Sequence, residues 1–136
     1  MGPRFLIDTN AVIDLISDFL PAKGADWLDQ VIADNAHALS VITRLELFSK
    51  PVSTDETATI NSLIAGSLVL GLDEAVIQET IRIRQQHRRK LPDAIIAATA
   101  LVHQLVLVTR NGADFRTIAG LAVVDPHDLT QLPARP

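Results

Sequence analysis

Phe5-Leu6-Ile7-Asp8-Thr9-Asn10-Ala11-Val12 is the stretch on which the fold turns. Three consecutive apolar residues make a short buried-strand candidate that stops at Asp8. The apolar positions then change period. Val12, Leu15, Ile16, Phe19 and Leu20 follow the i, i+3, i+4, i+7, i+8 stripe of an amphipathic helix, with Pro21 at or just past its end. A strand giving way directly to a helix is the first unit of an α/β alternation.

The same alternation continues outward. Trp27, Leu28, Val31 and Ile32 form a second helical stripe, and Ala38 to Ile42 reads as a second strand. Thr43-Arg44-Leu45-Glu46 has capping-box spacing, which predicts a helix start at Thr43 with Glu46 in its first turn. Ser53 and Glu56 repeat that spacing ahead of Ile60, Leu63 and Ile64. Leu68-Val69-Leu70 is a third strand. Asp73 and Glu74 open a long helix expected to run to about Arg89. Pro92 suits the first turn of another helix. Residues 94–102 are apolar on every side, the mark of a helix buried within the domain. Leu105 to Val108 and Leu121 to Val124 complete five strands. The expected fold is α/β, built on a mainly parallel sheet of about five strands.

A chain of 136 residues corresponds to one domain. We expect a single domain over 1–136, with its core at about 5–125 and a surface tail at 126–136. Hydrophobic residues make up 48% and charged residues 21%, which excludes a mainly disordered chain. With no cysteine there is no disulfide framework, thiolate nucleophile or cysteine-ligated zinc. No apolar run is long enough to span a membrane, and the N-terminus lacks the pattern of a signal peptide. The expected address is the cytoplasm. The net charge of −4 argues against a protein that simply coats nucleic acid with basic surface.

Ligands of open α/β sheets sit beyond the carboxyl ends of the strands, where strand order reverses. Asp8 ends the first strand, Glu46 follows the second, Asp93 opens the buried helix and Asp114 follows the fourth strand. Four acids from distant parts of the chain are thus expected to meet at one sheet edge. Oxygen-only donors suit Mg²⁺ or Mn²⁺ rather than zinc. Such ions activate water and steady the leaving oxygen of a phosphodiester. Setting these four aside leaves 12 acidic against 12 basic side chains, so the excess negative charge equals the proposed site. Each acid also has a structural reading, as a helix cap, half of a capping box or a favourable charge in a first turn. For Asp93, on the threshold of an all-apolar helix, a charge is costly unless something uses it.

Together, Leu6-Ile7-Asp8-Thr9-Asn10, Thr43-Arg44-Leu45-Glu46-Leu47, Pro92-Asp93-Ala94-Ile95-Ile96-Ala97 and Val108-Thr109-Arg110-Asn111-Gly112-Ala113-Asp114-Phe115 resemble the four motifs of the PIN-domain nucleases. In their forms and in chain length they are most similar to the VapC toxins of VapBC toxin–antitoxin systems. The resemblance implies a three-layer α/β/α fold with a parallel sheet and a Mg²⁺-dependent endoribonuclease, with Mn²⁺ able to substitute, that leaves 5′-phosphate and 3′-hydroxyl ends. It implies that Asp8, Glu46 and Asp93 are core metal-binding acids and Asp114 a fourth. Asn10, Thr109 and Asn111 match the family's supporting polar residues. Asn111 stands where some PIN domains carry another acid, which weakens the case for a second metal. The resemblance further implies a VapB-like antitoxin that blocks the site, a homodimer and a toxin–antitoxin hetero-oligomer. Operator DNA would be bound only through the antitoxin.

Other features have two readings. Arg88, Arg89 and Lys90 lead straight toward Asp93 and can contact RNA phosphates, or simply favour a helix end. With no tyrosine and five aromatics in all, base stacking is poorly equipped. The apolar helices at 11–20 and 54–65 serve the core, or additionally a dimer face and an antitoxin groove. The alternative function is a non-catalytic RNA- or protein-binding PIN domain. A phosphoacceptor site at Asp8 fits poorly, because Asn10 stands where such sites place a second aspartate.

Overall fold

The computed structural model describes residues 2–49 and 53–133. The strands are β1 (Phe5–Ile7), β2 (His37–Ser40), β3 (Leu68–Leu70), β4 (Val106–Val108) and β5 (Val123–Val124). The helices are α1 (Thr9–Ile16), α2 (Ala22–Ala33), α3 (Val41–Leu47), α4 (Thr54–Ala65), α5 (Glu74–Gln86), α6 (Leu91–His103) and α7 (Gly112–Phe115). The strands form one parallel sheet in the order β3-β2-β1-β4-β5. The chain builds outward from β1 on one side, then crosses back to place β4 on the other. That reversal opens a crevice beyond the carboxyl ends of β1 and β4.

Side-chain alternation along the strands feeds two cores. Phe5, Ile7, Leu39 and Val108 pack with α1, α2 and α4 on one face. Leu6, Ala38 and Leu107 pack with α5, α6 and Phe115 on the other. Both faces are covered, which is why β1 reads as an unbroken apolar run. Ala94 through Ala100 are all buried, as the all-apolar stretch predicts. No described helix is long and apolar enough to cross a membrane.

Four sequence expectations shift. Helix α3 starts at Val41, with Ser40 as its cap accepting from the Ile42 amide at 3.0 Å. Thr43 is therefore not a cap, and Glu46 lies in the last turn rather than the first. Helix α1 ends at Ile16, because Asp18 turns the chain at φ 57°. Phe19 is consequently 70% exposed while Leu20 stays buried. Helix α5 ends at Gln86 with His87 extended, so Arg88, Arg89 and Lys90 form a link rather than a helix end. Ser53 does cap α4, accepting from the Glu56 amide as the spacing predicts, and Asp73 opens α5 by accepting from the Val76 amide.

The expected surface tail is fastened over residues 126–133. Pro126 is buried, Leu132 packs against the first core, and Trp27 Nε1 donates to the Pro133 carbonyl at 2.9 Å. His127 Nε2 stands 2.8 Å from buried Asp14, which also accepts from Arg110 at 2.9 Å. The end of that tail, residues 134–136, lies outside the described residues.

Candidate functional site

Asp8 sits at the sheet reversal. Its amide donates to the Val108 carbonyl at 2.9 Å, continuing the β1–β4 ladder past the end of β1. Its backbone then turns extended, and its carboxylate caps α1 by accepting from the Thr9 amide at 2.8 Å. The capping role and the site role thus fall on the same residue and share one carboxylate. The second oxygen accepts from Thr109 Oγ1 at 2.9 Å and from Asn10 Nδ2 at 3.3 Å. Thr109 follows β4 directly and is fully buried. Its hydroxyl also accepts from Asn10 Nδ2 and from the Asn111 amide, each at 3.1 Å. Asn10 in turn accepts the Arg110 amide at 3.2 Å. The polar helpers therefore form one network that fixes the orientation of the Asp8 carboxylate. Asn111 contributes its backbone to that network.

Glu46 reaches the same edge through Thr9. The Thr9 hydroxyl donates to Glu46 Oε1 at 2.7 Å and stands 3.1 Å from Thr43 Oγ1. Thr43 and Glu46, one turn apart on α3, both face Thr9. The spacing that reads as a capping box is in fact one helix face aimed at α1. Thr9 and Thr43 are the residues that sequence reasoning missed as members of the site.

Burial pushes the Asp8 carboxyl up to about 6 from its ordinary 3.8. The Thr109 hydroxyl and the Thr9 amide pull it down, while the charges of Asp93 and Glu46 push it up again. Asp93, half-buried in the first turn of α6, is thus an electrostatic neighbour of Asp8. Asp114, exposed on α7, exerts no such push. Two of the other three acids thus act on the Asp8 carboxyl. None of the ion pairs among the described residues involves any of the four acids.

The donor set is entirely oxygen, and Asp8, the buried one of the four, has no cationic partner among the described residues. Both features fit a hard divalent ion. As the side chains stand, no group of three or more carboxylates or imidazoles among the described residues is gathered tightly enough to hold a metal. Glu46 is exposed and Asp93 half-exposed, so both have rotamer freedom to close on an ion.

The expected basic contacts divide. Arg88 and Lys90 are exposed and, with Arg84 and His87, line a cleft of about 440 Å³. Arg89 lines the same cleft but turns its guanidinium onto α7.

The family profile described as PIN domain matches residues 5–121. A chain in a toxin–antitoxin complex from Klebsiella pneumoniae is 34% identical, with 91% of this chain and 98% of that chain covered and a TM-score of 0.70. A chain in FitAcB from Neisseria gonorrhoeae is 31% identical, with 92% and 99% covered and a TM-score of 0.68. A chain in DNA-bound VapBC from Salmonella typhimurium is 24% identical, with 91% and 98% covered and a TM-score of 0.77, and it speaks for the fold alone. Among curated proteins nothing matches.

Proposed function

Because the chain belongs to the PIN-domain family, we propose that it is the toxin of a VapBC-like toxin–antitoxin pair and acts as a metal-dependent endoribonuclease in the cytoplasm. The observation that carries this reading is Asp8. It is a buried, cation-free carboxylate at the sheet reversal, oriented by three donors and flanked by Asp93 and Glu46.

Asp8, Glu46 and Asp93 would hold Mg²⁺, or Mn²⁺ in its place, with Asp114 joining from α7. When bound, the ion supplies Lewis acidity toward an attacking water and the leaving oxygen of an RNA phosphodiester. The chain's own residues do the rest. Thr109, Asn10 and the Thr9 amide fix the Asp8 carboxylate, so that binding a cation needs little reorganisation. The Thr9 hydroxyl holds Glu46 at the same edge, from which it would swing toward the ion. Arg88 and Lys90 stand free on the link into α6 and would take phosphates flanking the cut. The products would carry 5′-phosphate and 3′-hydroxyl ends.

The antitoxin would be VapB-like. A cleft of about 440 Å³ between α1, α2 and α4 has an apolar lining of Leu15, Ile16, Ala25, Ile32 and Leu63, with Asp18, Asp29, Thr59 and Ser62 beside it. It suits the apolar face of a partner helix. A homodimer and a toxin–antitoxin hetero-oligomer belong to the same reading, with operator DNA contacted through the antitoxin.

The test is incubation of a total-RNA pool with purified protein in Mg²⁺, Mn²⁺ or EDTA, beside Asp93→Asn. Discrete cuts that need the metal and vanish in the variant are expected. A folded, antitoxin-free protein that binds RNA but never cuts it would instead establish a non-catalytic PIN domain.

A further inference from the structure

Arg89 stands four residues before Asp93, in the link that opens α6. Its guanidinium crosses to α7. It donates to the Asp114 carbonyl and, at 2.7 Å, to Thr117 Oγ1. Its carbon centre stands 5.7 Å from the centroid of the Phe115 ring. Thr117 Oγ1 also donates to the Asp114 carbonyl at 3.0 Å, which closes the group of contacts.

Helix α7 depends on such contacts. Its four residues are far too few to hold a helix unaided. Phe115, 2% exposed, anchors the inner side in the second core. Asp114 lies on the outer side, where no described side chain holds its carboxylate. The guanidinium lies over the Phe115 ring and donates beside it at the same time, which an ammonium group does not reproduce. Arg89 thus joins the backbone carrying Asp114 to the backbone that leads into Asp93.

We propose that Arg89 is a positioning residue that braces α7 against the α5–α6 link and so sets where Asp114 stands relative to Asp93. The proposal rests on the acidic edge being a divalent-cation site. In this role Arg89 acts through α7, and contact with RNA phosphates falls to Arg88 and Lys90.

The test compares Arg89→Ala, Arg89→Lys, Thr117→Val and Arg88→Ala with wild type, after circular dichroism confirms folding. Amide exchange in metal-free buffer reads the brace. The Arg116 and Ile118 amides, bonded to the Gly112 and Phe115 carbonyls, should exchange faster in Arg89→Ala while α6 is unchanged. Mn²⁺ titration reads the consequence. Arg89→Ala and Arg89→Lys should both weaken binding by about tenfold, with Thr117→Val weaker in effect and of the same sign. With RNA, Arg89→Ala should lower kcat and leave KM within about twofold, whereas Arg88→Ala should raise KM and reduce the salt slope by about one. Unchanged α7 exchange in Arg89→Ala overturns the brace. Unchanged Mn²⁺ affinity and kcat with a raised KM overturns it in favour of a phosphate contact. A wild type that binds no Mn²⁺ overturns the nuclease reading itself, and is told apart because exchange is measured without metal.

Discussion

Replacing Asp8 with asparagine should make the metal-free protein more stable at neutral pH. The Asp8 carboxyl titrates at about 6 in the folded chain instead of its ordinary 3.8, chiefly because it is buried. A raised folded pKa means that folding favours the protonated form. The stability it contributes is complete below pH 3.8 and is lost as pH rises through about 6. The loss amounts to about 3 kcal/mol at 1.36 kcal/mol per unit. Asparagine is neutral throughout and avoids it. Its amide, however, would face Asn10 Nδ2 and the Thr109 hydroxyl, both of which now donate to that oxygen. That mismatch costs about 1 kcal/mol. A net gain of about 1–2 kcal/mol remains at neutral pH, or roughly 3–8 °C in Tm for a chain of this size. The assay is thermal melting in EDTA across the acid-to-neutral range. The advantage of Asp8→Asn should close as pH falls toward 4, and added Mg²⁺ should raise the wild type alone. A variant less stable than wild type at neutral pH, or a difference that ignores pH, would refute the account of Asp8.

Three further outcomes follow from the packing. Asp14 is 2% exposed and held by Arg110 and His127, both of them partly exposed. Asp14→Ala leaves partners that water can reach and should cost about 1–2 kcal/mol. Removing both partners by Arg110→Ala with His127→Ala strands a buried charge and should cost about 3–5 kcal/mol by urea unfolding. A methyl group on Gly24 would overlap the Pro126 carbonyl. Gly24→Ala should therefore dislodge the C-terminal segment at about 1–3 kcal/mol and red-shift the emission of Trp27, the only tryptophan. Burial lowers the His37 pKa below its ordinary 6.5, with Nε2 beside Ser67 Oγ and Nδ1 without a hydrogen-bond partner among the described residues. A depressed folded pKa places its contribution above 6.5 and loses it as pH falls, because the unfolded ring takes the proton first. In the Asp8→Asn background, Tm should fall on acidification, and His37→Asn should flatten that fall.

What the sequence discloses depends on how local the cause is. The junction at Asp8 is legible because strand, cap and acid are consecutive residues. Helix α6 is legible because its surroundings are apolar on every side, a condition its own composition reports. The start of α3 is not. Ser40 and Thr43 are both plausible caps, and Glu46 three residues on favours Thr43. Only the approach of Thr9 from α1 shows that Thr43 and Glu46 form a face rather than a box. Phe19 fits the helical stripe, but the stripe carries no sign of the left-handed turn at Asp18. Arg89 looks like Arg88 and Lys90 until α7 folds beneath it. The tail reads as surface because prolines punctuate it, whereas Trp27, Asp14 and Gly24 fasten it from far along the chain. Asp8 ends a strand while Glu46 and Asp93 lie on helices, and that the charges of the latter two reach Asp8 is a consequence of the fold that no local stretch reports.

The most direct test of the acidic edge is anomalous diffraction from crystals soaked in Mn²⁺ at about pH 8, where Asp8 is ionised. We expect a peak bonded to carboxylate oxygens of Asp8 and Asp93, with Glu46 and Asp114 drawn toward it, and no peak in Asp93→Asn crystals. An empty edge at saturating Mn²⁺, or a peak placed elsewhere, would contradict the reading of these acids as a metal-dependent nuclease site.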